Sequence, residues 1–483
     1  MADGEGTPLE YMSDFEALMW NLEKSPALSN TFANVTILDR PPDKDRFLDK
    51  MAVAVTKVPK LRQRPVEPAG ALSNPAWADD PDFDLHHHLR WVNLGNGATT
   101  RDLYDYVATL TSQPFDRERP LWDFTIIEGL QGGASAMLQR MHHTITDGEG
   151  GIRLSVAFLD LERSPDQPSG DTEPAADTSD TGGEASADDA SGDASTGDAS
   201  SESATVDRGE GEPTESSRIT EFVGALTDSL RQRGAQVVDA IGAAGSFITN
   251  PADAAELTLS AGRQAQVLTR CSPLWTQRTL DRWFGTTSLE LAAVKDASHR
   301  LGGTVNDFFV TGAASAAGAY HRAKGAEVDQ LRMSMPVSVR GTDPEARHAD
   351  PMAGGNAFSP TQVLLPTGEI PATERFTEVH ERLSATRRTC TGGAGRVAAV
   401  INLLPTAALL ATGERATAGI DFVCSNVRAA PFDLYMGGAL LEANYPVGPL
   451  AGTPFNLTTM SYCGTLWLGL HVDSGRWTTR NCC

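Results

Sequence analysis

The chain has 483 residues, 40% of them hydrophobic, and a formal net charge of -23. That length suits two or three domains with real cores, and that charge repels a phosphate backbone, so no nucleic-acid partner is expected. Much of the charge is local: residues 164–217 hold fifteen acids against Arg208 alone, with Val206 the one hydrophobic residue larger than alanine. Such a stretch cannot bury enough surface to offset its ordering entropy and is expected to be a disordered insert.

In chain order, the opening "MADGEGTPLEYMSDFEALMW" lacks a basic region followed by an apolar run, so it does not read as a signal peptide, and a cytoplasmic location is expected. "MSDFEALMWNLE" (12–23) has helical spacing, and "TFANVTILD" (31–39) reads as a strand. "DLHHHLR" (84–90) reads as an extended run that packs at a surface or tunnel mouth. "ATTRDLYDYVATLTSQP" predicts a helix capped by Thr99 or Thr100. "LWDFTIIEGL" and "ASAMLQRMHH" predict a hairpin closed at Gln131-Gly132-Gly133, with a helix over "GGIRLSVAFLDLER" after it. Past the insert, residues 219–269 are Ala-rich and read as a helical connector. Helices follow around 289–301 and over 305–323, then strands at "LRMSMPVSVR", "GNAFSPTQVLLP", "GIDFVCSNV", "ALLEANYPVGP" and "FNLTTMSYCGTLWLGLHVD". The mixture is α/β (α+β).

"VAAVINLLPTAALLAT" (397–412), the longest apolar stretch, is broken by Asn402 and Pro405 and falls short of the ~18 apolar residues of a spanning helix. It reads as a buried helical hairpin, with lipid contact as the alternative. Six cysteines without a CxxC pair read as mostly buried, reduced thiols.

Chemistry concentrates in "MHHTITDGEG" (141–150), a histidine doublet four residues ahead of Asp147-Gly148. Successive strand side chains point to opposite faces, so one of His142 and His143 faces a pocket while the other packs. Adjacent strand histidines do not converge on one ion, which argues against a metal site. A histidine with a near-neutral pKa can take a proton from a hydroxyl or thiol and return it to a leaving group; the bland alternative is a satisfied structural histidine. Asp147 reads as fixing the loop in a turn that Gly148 permits. No GxSxG elbow and no phosphate- or dinucleotide-binding glycine pattern is present, so a covalent serine route has no anchor. Pro120-Leu121-Trp122 reads as a turn followed by core packing.

HHxxxDG is similar to the signature of the acyl-CoA-dependent acyltransferase superfamily. Around it, "DDPDFDL" (79–85), "PFDRERPLWDFTIIEGL" (114–130), "GGTVNDFFV" (302–310), "MPVSVR" (335–340), "GGN" ending at Asn356, "CSNVRAAP" (424–431) and the closing "YPVGPLAGTPFNLTTMSYCGTLWLGLHVD" resemble the bacterial wax ester synthase/diacylglycerol acyltransferase family. The resemblance runs from about residue 12 to 473, interrupted by the insert.

It implies two chloramphenicol-acetyltransferase-like domains with a tunnel between them: 1–163 carrying HHxxxDG, the insert at 164–217, a connector at 218–272 and a second domain at 273–483. It implies His143 as general base, His142 as its support, Asp147 and Gly148 as structural, and Asn306 and Asp307 close to the site from the other domain. The implied substrates are acyl-CoA and either diacylglycerol or a long-chain alcohol, with no cofactor and no metal. Such substrates imply a peripheral association with the inner membrane face or with lipid inclusions. A lipid- or acyl-CoA-binding protein without turnover, and a condensation-type enzyme using carrier-bound substrates, are the competing readings.

Overall fold

The computed structural model describes residues 10–67, 73–164, 270–338, 358–389, 398–399 and 401–475. The insert from 165 onward, the connector up to 269, "GGN" and Cys390, Cys482 and Cys483 lie outside them.

The first half runs β1 (Glu10–Tyr11), α1 (Asp14–Leu22), β2 (Thr31–Leu38), α2 (Lys44–Lys57), β3 (Gln63–Val66), β4 (Ala76–Asp79), α3 (Leu85–His88), β5 (Leu89–Ala98), α4 (Thr100–Thr111), β6 (Trp122–Leu130), β7 (Ser135–His142) and α5 (Gly148–Ser155). The second runs β8 (Arg282–Glu290), α6 (Leu291–Arg300), α7 (Val305–Ala323), β9 (Gln330–Ser338), β10 (Phe358–Pro366), α8 (Ala372–Thr389), α9 (Thr406–Ala418), β11 (Phe422–Arg428), β12 (Tyr435–Met436), β13 (Ala439–Val447), β14 (Phe455–Tyr462) and β15 (Thr465–Asp473). Three helices begin on reciprocal caps that satisfy their first amides: Ser13 with Glu16, Thr99 with Asp102, and Thr304 with Asp307. α4 then buries Leu103, Tyr104, Val107, Ala108 and Leu110 at helical spacing.

Two six-stranded sheets form, in the orders β12-β13-β2-β7-β6-β5 and β10-β9-β11-β14-β15-β8, beside a small sheet β1-β4-β3. β5 pairs parallel to β6, and β11 pairs parallel to both β9 and β14. The first sheet is completed from the far end of the chain: β13 pairs antiparallel with β2, Asn444 opposite Thr36 and Tyr445 opposite Val35. The division expected at 272/273 therefore separates β13 from the sheet it joins. Without β13, the edge of β2 would present unpaired backbone groups. One core cluster gathers Val35, Leu103 and Ile127 with Phe284 of β8 and Val447 of β13, so it packs residues of both halves together.

Several local expectations change. Residues 282–290 form β8, and the helix expected from 289 starts at Leu291. α5 ends at Ser155, well before Arg163. The triple histidine is one helical turn, capped by Asp84 accepting from the His86 amide; His88 is buried while His86 and His87 are exposed. In the stretch from 397, Leu409 is buried, but Leu403 is 50% exposed and Leu404 39%, because Pro405 restarts the helix and turns the preceding leucines outward. No helix among the described residues is long and apolar enough to cross a membrane. Cys271, Cys424 and Cys463 are free thiols, and Cys424 is buried.

His471, on β15, is buried, with Nδ1 2.9 Å from the Gly448 carbonyl. Burial pushes its pKa down to about 4, a shift that the Gly448 bond only partly opposes. Below pH ~6.5 the unfolded chain takes up a proton that the folded chain refuses until about pH 4. Stability is thus expected to fall between those limits, by on the order of 3 kcal/mol from this group. Urea unfolding at pH 7 and pH 5 checks it: His471→Asn should show a shallower loss than wild type, and an unchanged pH difference would refute the assignment.

Candidate active site

Met137, Gln139 and Met141 of β7, and His143 in the turn just past its end, line a cavity of about 770 Å3. The wall is drawn from both sheets, including Asn34 of β2, Asn444 of β13, Val423 of β11 and Met460 of β14, with Ile152 of α5. Most of these walls are apolar, as a hydrocarbon ligand requires.

The opposite face of β7 turns inward. Arg140 and His142 are 2% and 1% exposed. His142 accepts at Nδ1 from the Thr144 amide (3.2 Å), with the Thr144 hydroxyl 2.8 Å away. That leaves Nε2–H to donate to Glu23 Oε2 at 3.1 Å. Glu23 also accepts from the Ser29 hydroxyl and the Asn30 amide, each at 2.7 Å. Burial alone would raise the Glu23 pKa, but the hydrogen bonds from His142, Ser29 and Asn30 hold it below the ordinary carboxylate value. Sequence places Glu23 at the end of the helical stretch 12–23 and gives it no site role: it lies 119 residues from His142, and a single glutamate closing an amphipathic helix carries no local signal.

His143 donates its amide to the Asn30 carbonyl (3.2 Å), and its ring lies 4.6 Å from that of Phe32. Glu23 therefore holds both the packed histidine and, through Asn30, the backbone of the cavity-facing one.

Asp147 is buried at the cavity wall; Oδ1 accepts from the Gly150 amide (2.9 Å) and its carbonyl from the Gly151 amide (2.8 Å), closing the first turn of α5. Gly148 is the first residue of that helix. Within this motif Gly150 has no room for a side chain: a Cβ there would sit 1.9 Å from Thr146 Oγ1. Gly150→Ala is expected to displace the turn beside His143 and lower kcat about 10²-fold, the scale of an ångström-sized misplacement. Adding Thr146→Ala, which removes the obstructing hydroxyl, should restore most of the rate; no restoration would show that the space at Gly150 serves something else.

The Pro-Leu-Trp segment backs the doublet. The Leu121 carbonyl accepts the His142 amide (3.0 Å), and Trp122 Nε1 donates to the Leu61 carbonyl (2.7 Å). His88 stacks on Trp122 at 4.6 Å. Asn306 and Asp307 are not among the residues lining the cavity. Asp307, 1% exposed, caps α7 through Thr304 and accepts from His380 Nδ1 (2.8 Å), while Asn306 Nδ2 approaches the Met335 sulfur at 3.7 Å. Met335 stands between Ser334 and Pro336, which do line the cavity.

Known proteins resemble this chain in sequence and in fold. The model of the wax ester synthase/diacylglycerol acyltransferase catalytic domain matches residues 12–309, and that of the family's C-terminal domain residues 354–479. A putative diacylglycerol O-acyltransferase of Mycobacterium tuberculosis is 30% identical over 476 residues, 96% of this chain and 87% of the relative. A second from that organism is 26% identical over 486 residues, 96% and 92% of the two chains. Among solved structures, a wax ester synthase/diacylglycerol acyltransferase from Marinobacter aquaeolei VT8 superposes with a TM-score of 0.58 at 18% identity, over 97% of this chain and 94% of that one. A starter condensation domain of rhizomide synthetase gives 0.52 at 13%, over 97% and 90%, a likeness of fold alone. With His143 of the doublet at the wall of an apolar cavity and both family domains matched in order, the chain belongs to the wax ester synthase/diacylglycerol acyltransferase family.

Proposed function

We propose that the protein moves a fatty acyl group from acyl-CoA to the hydroxyl of diacylglycerol or a long-chain alcohol, with His143 as general base. The observation that carries this reading is the placement of His143, the cavity-facing member of the doublet, on the wall of a largely apolar chamber of about 770 Å3. The imidazole takes the acceptor's proton as its oxygen attacks the thioester carbonyl. The tetrahedral oxyanion collapses, the carbon–sulfur bond breaks, and the departing CoA thiolate takes the proton. His142 and Glu23 position the turn, and Asp147 holds its far side. Asn306 and Asp307 act at one remove, Asn306 by its contact with Met335 and Asp307 by capping α7 and holding His380. No cofactor enters this scheme; acyl-CoA is a substrate.

Peripheral attachment to a lipid surface on the cytoplasmic side belongs to the same proposal. It is supported by apolar side chains that belong to the cavity wall yet face solvent: Val156 is 72% exposed, Leu161 70% and Phe432 52%. Lipid chromatography of products from palmitoyl-CoA with diolein or hexadecanol, alongside assay of free CoA thiol, tests the reaction. Ester with equivalent CoA supports it; acyl-CoA binding without CoA release would favour the binding-protein reading. Flotation with phosphatidylglycerol vesicles tests attachment, which recovery of all protein from the lipid-free fraction would contradict.

A further inference from the structure

The cavity is not uniformly apolar, and its polar patch lies away from the histidines. Three neighbouring strands place Asn34 and Thr36 (β2), Gln139 (β7) and Asn444 (β13) on the chamber wall. Asn34 stands opposite Gln139, and Thr36 opposite Asn444. The residues around them on the wall are Phe32, Met137, Met141 and Leu441. Polar groups in such surroundings are costly unless hydrogen-bonded, so three amides and a hydroxyl together need an explanation.

Their mutual bonds leave one buried acceptor unpaired. Asn34 Nδ2 donates toward Thr36 Oγ1 (3.2 Å), Gln139 Oε1 (3.5 Å) and Asn444 Oδ1, and the Thr36 hydroxyl donates to Asn444 Oδ1 (3.2 Å). Asn34 Oδ1 is buried and has no hydrogen-bond partner among the described residues. That one buried acceptor faces the chamber without a donor. A methylene leaves that acceptor unpaired, and an ester or ketone oxygen repels it. A hydroxyl supplies the missing hydrogen.

We propose that this patch is a subsite for a hydroxyl group carried on a substrate's hydrocarbon chain. The inference rests on the acyl-transfer reading above. Gln139 on β7 and His143 just past the strand's end are four residues apart, which at extended-chain rise sets the patch roughly 13 Å from the base. At the reach of an extended chain, that is about ten to eleven chain atoms from the reacting centre. The hydroxyl could belong to the acyl donor or to the acceptor, and two arms separate them.

In the first arm, kcat/KM is compared for octadecanoyl-CoA and 12-hydroxyoctadecanoyl-CoA with hexadecanol. In the second, dodecanol and 1,12-dodecanediol are compared with palmitoyl-CoA. One arm is expected to favour the hydroxylated chain by about 10-fold or more, since a site built to pair a hydroxyl discriminates against the analogue lacking it. That arm identifies which chain lies along β2 and β7. Asn34→Leu should abolish the preference while turning over the plain chain; Asn34→Val serves if leucine is not accommodated.

No preference in either arm, or a preference that survives both variants, overturns the subsite. Competitive displacement of the same ligands from wild type and variant reads the subsite without turnover. A protein that binds the hydroxylated chain selectively but forms no ester would sink the acyl-transfer reading and leave this one standing.

Discussion

Alanine at position 143 is expected to lower kcat/KM for ester formation by roughly 10²–10⁴-fold, the usual contribution of a positioned general base, without a matching loss of stability. His143 lines the cavity and its ring rests on Phe32, whereas the bonds that hold the turn run through its backbone amide to Asn30 and through His142. Removing the imidazole thus deletes the proton acceptor and keeps the scaffold. His142→Ala should behave differently: it empties a fully buried site and leaves the Glu23 carboxylate without its ring partner, so unfolding midpoint and rate should fall together. Paired measurements of denaturation and initial rate distinguish the two. A His143→Ala protein as active as wild type would end the general-base account.

The second large effect is one of stability. Arg140 and Asp123 form a buried two-pronged pair, 2% and 4% exposed, with Nε 2.9 Å from Oδ1 and Nη2 bonded to Oδ2. The same guanidinium donates to the carbonyls of Leu110 and Gln113 at the end of α4, and Phe115 lies beneath it at 4.9 Å. The pair therefore joins β6, β7 and α4 on the face opposite the cavity. Asp123→Ala leaves a buried cation without its counter-ion, and a loss of about 3–5 kcal/mol is expected. Asp123→Leu combined with Arg140→Met should be much milder, because no charge is left stranded. Urea unfolding of both variants checks this; equal losses would mean that packing volume, not charge, governs the site.

Elements with their own local signal were legible in the sequence. α4 and α7 carry caps at Thr99 and Thr304 and regular apolar spacing, and β6 and β7 are joined by glycines with positive φ at 132 and 133. What failed were features decided by tertiary partners. β13 reads as a strand, but nothing in its own residues says that it pairs with β2 some 400 positions earlier. The helix expected from Leu289 takes in the last two residues of β8 because "TTSLELAAV" has no breaker, and strand pairing with β15 decides the boundary. Within the site, alternation along β7 separated His142 from His143 correctly in kind, while the resemblance chose between them. Glu23 and Gly150 were missed because their roles depend on contacts with His142 and Thr146.

The central claim, direct transfer promoted by His143 with no acyl-enzyme, is tested most directly by rapid-mixing measurement of CoA release from palmitoyl-CoA, with and without the acceptor. The account predicts no burst of CoA in the absence of acceptor and, once hexadecanol or diolein is added, one CoA per ester formed. A burst equal to the enzyme concentration before any acceptor is present would contradict it.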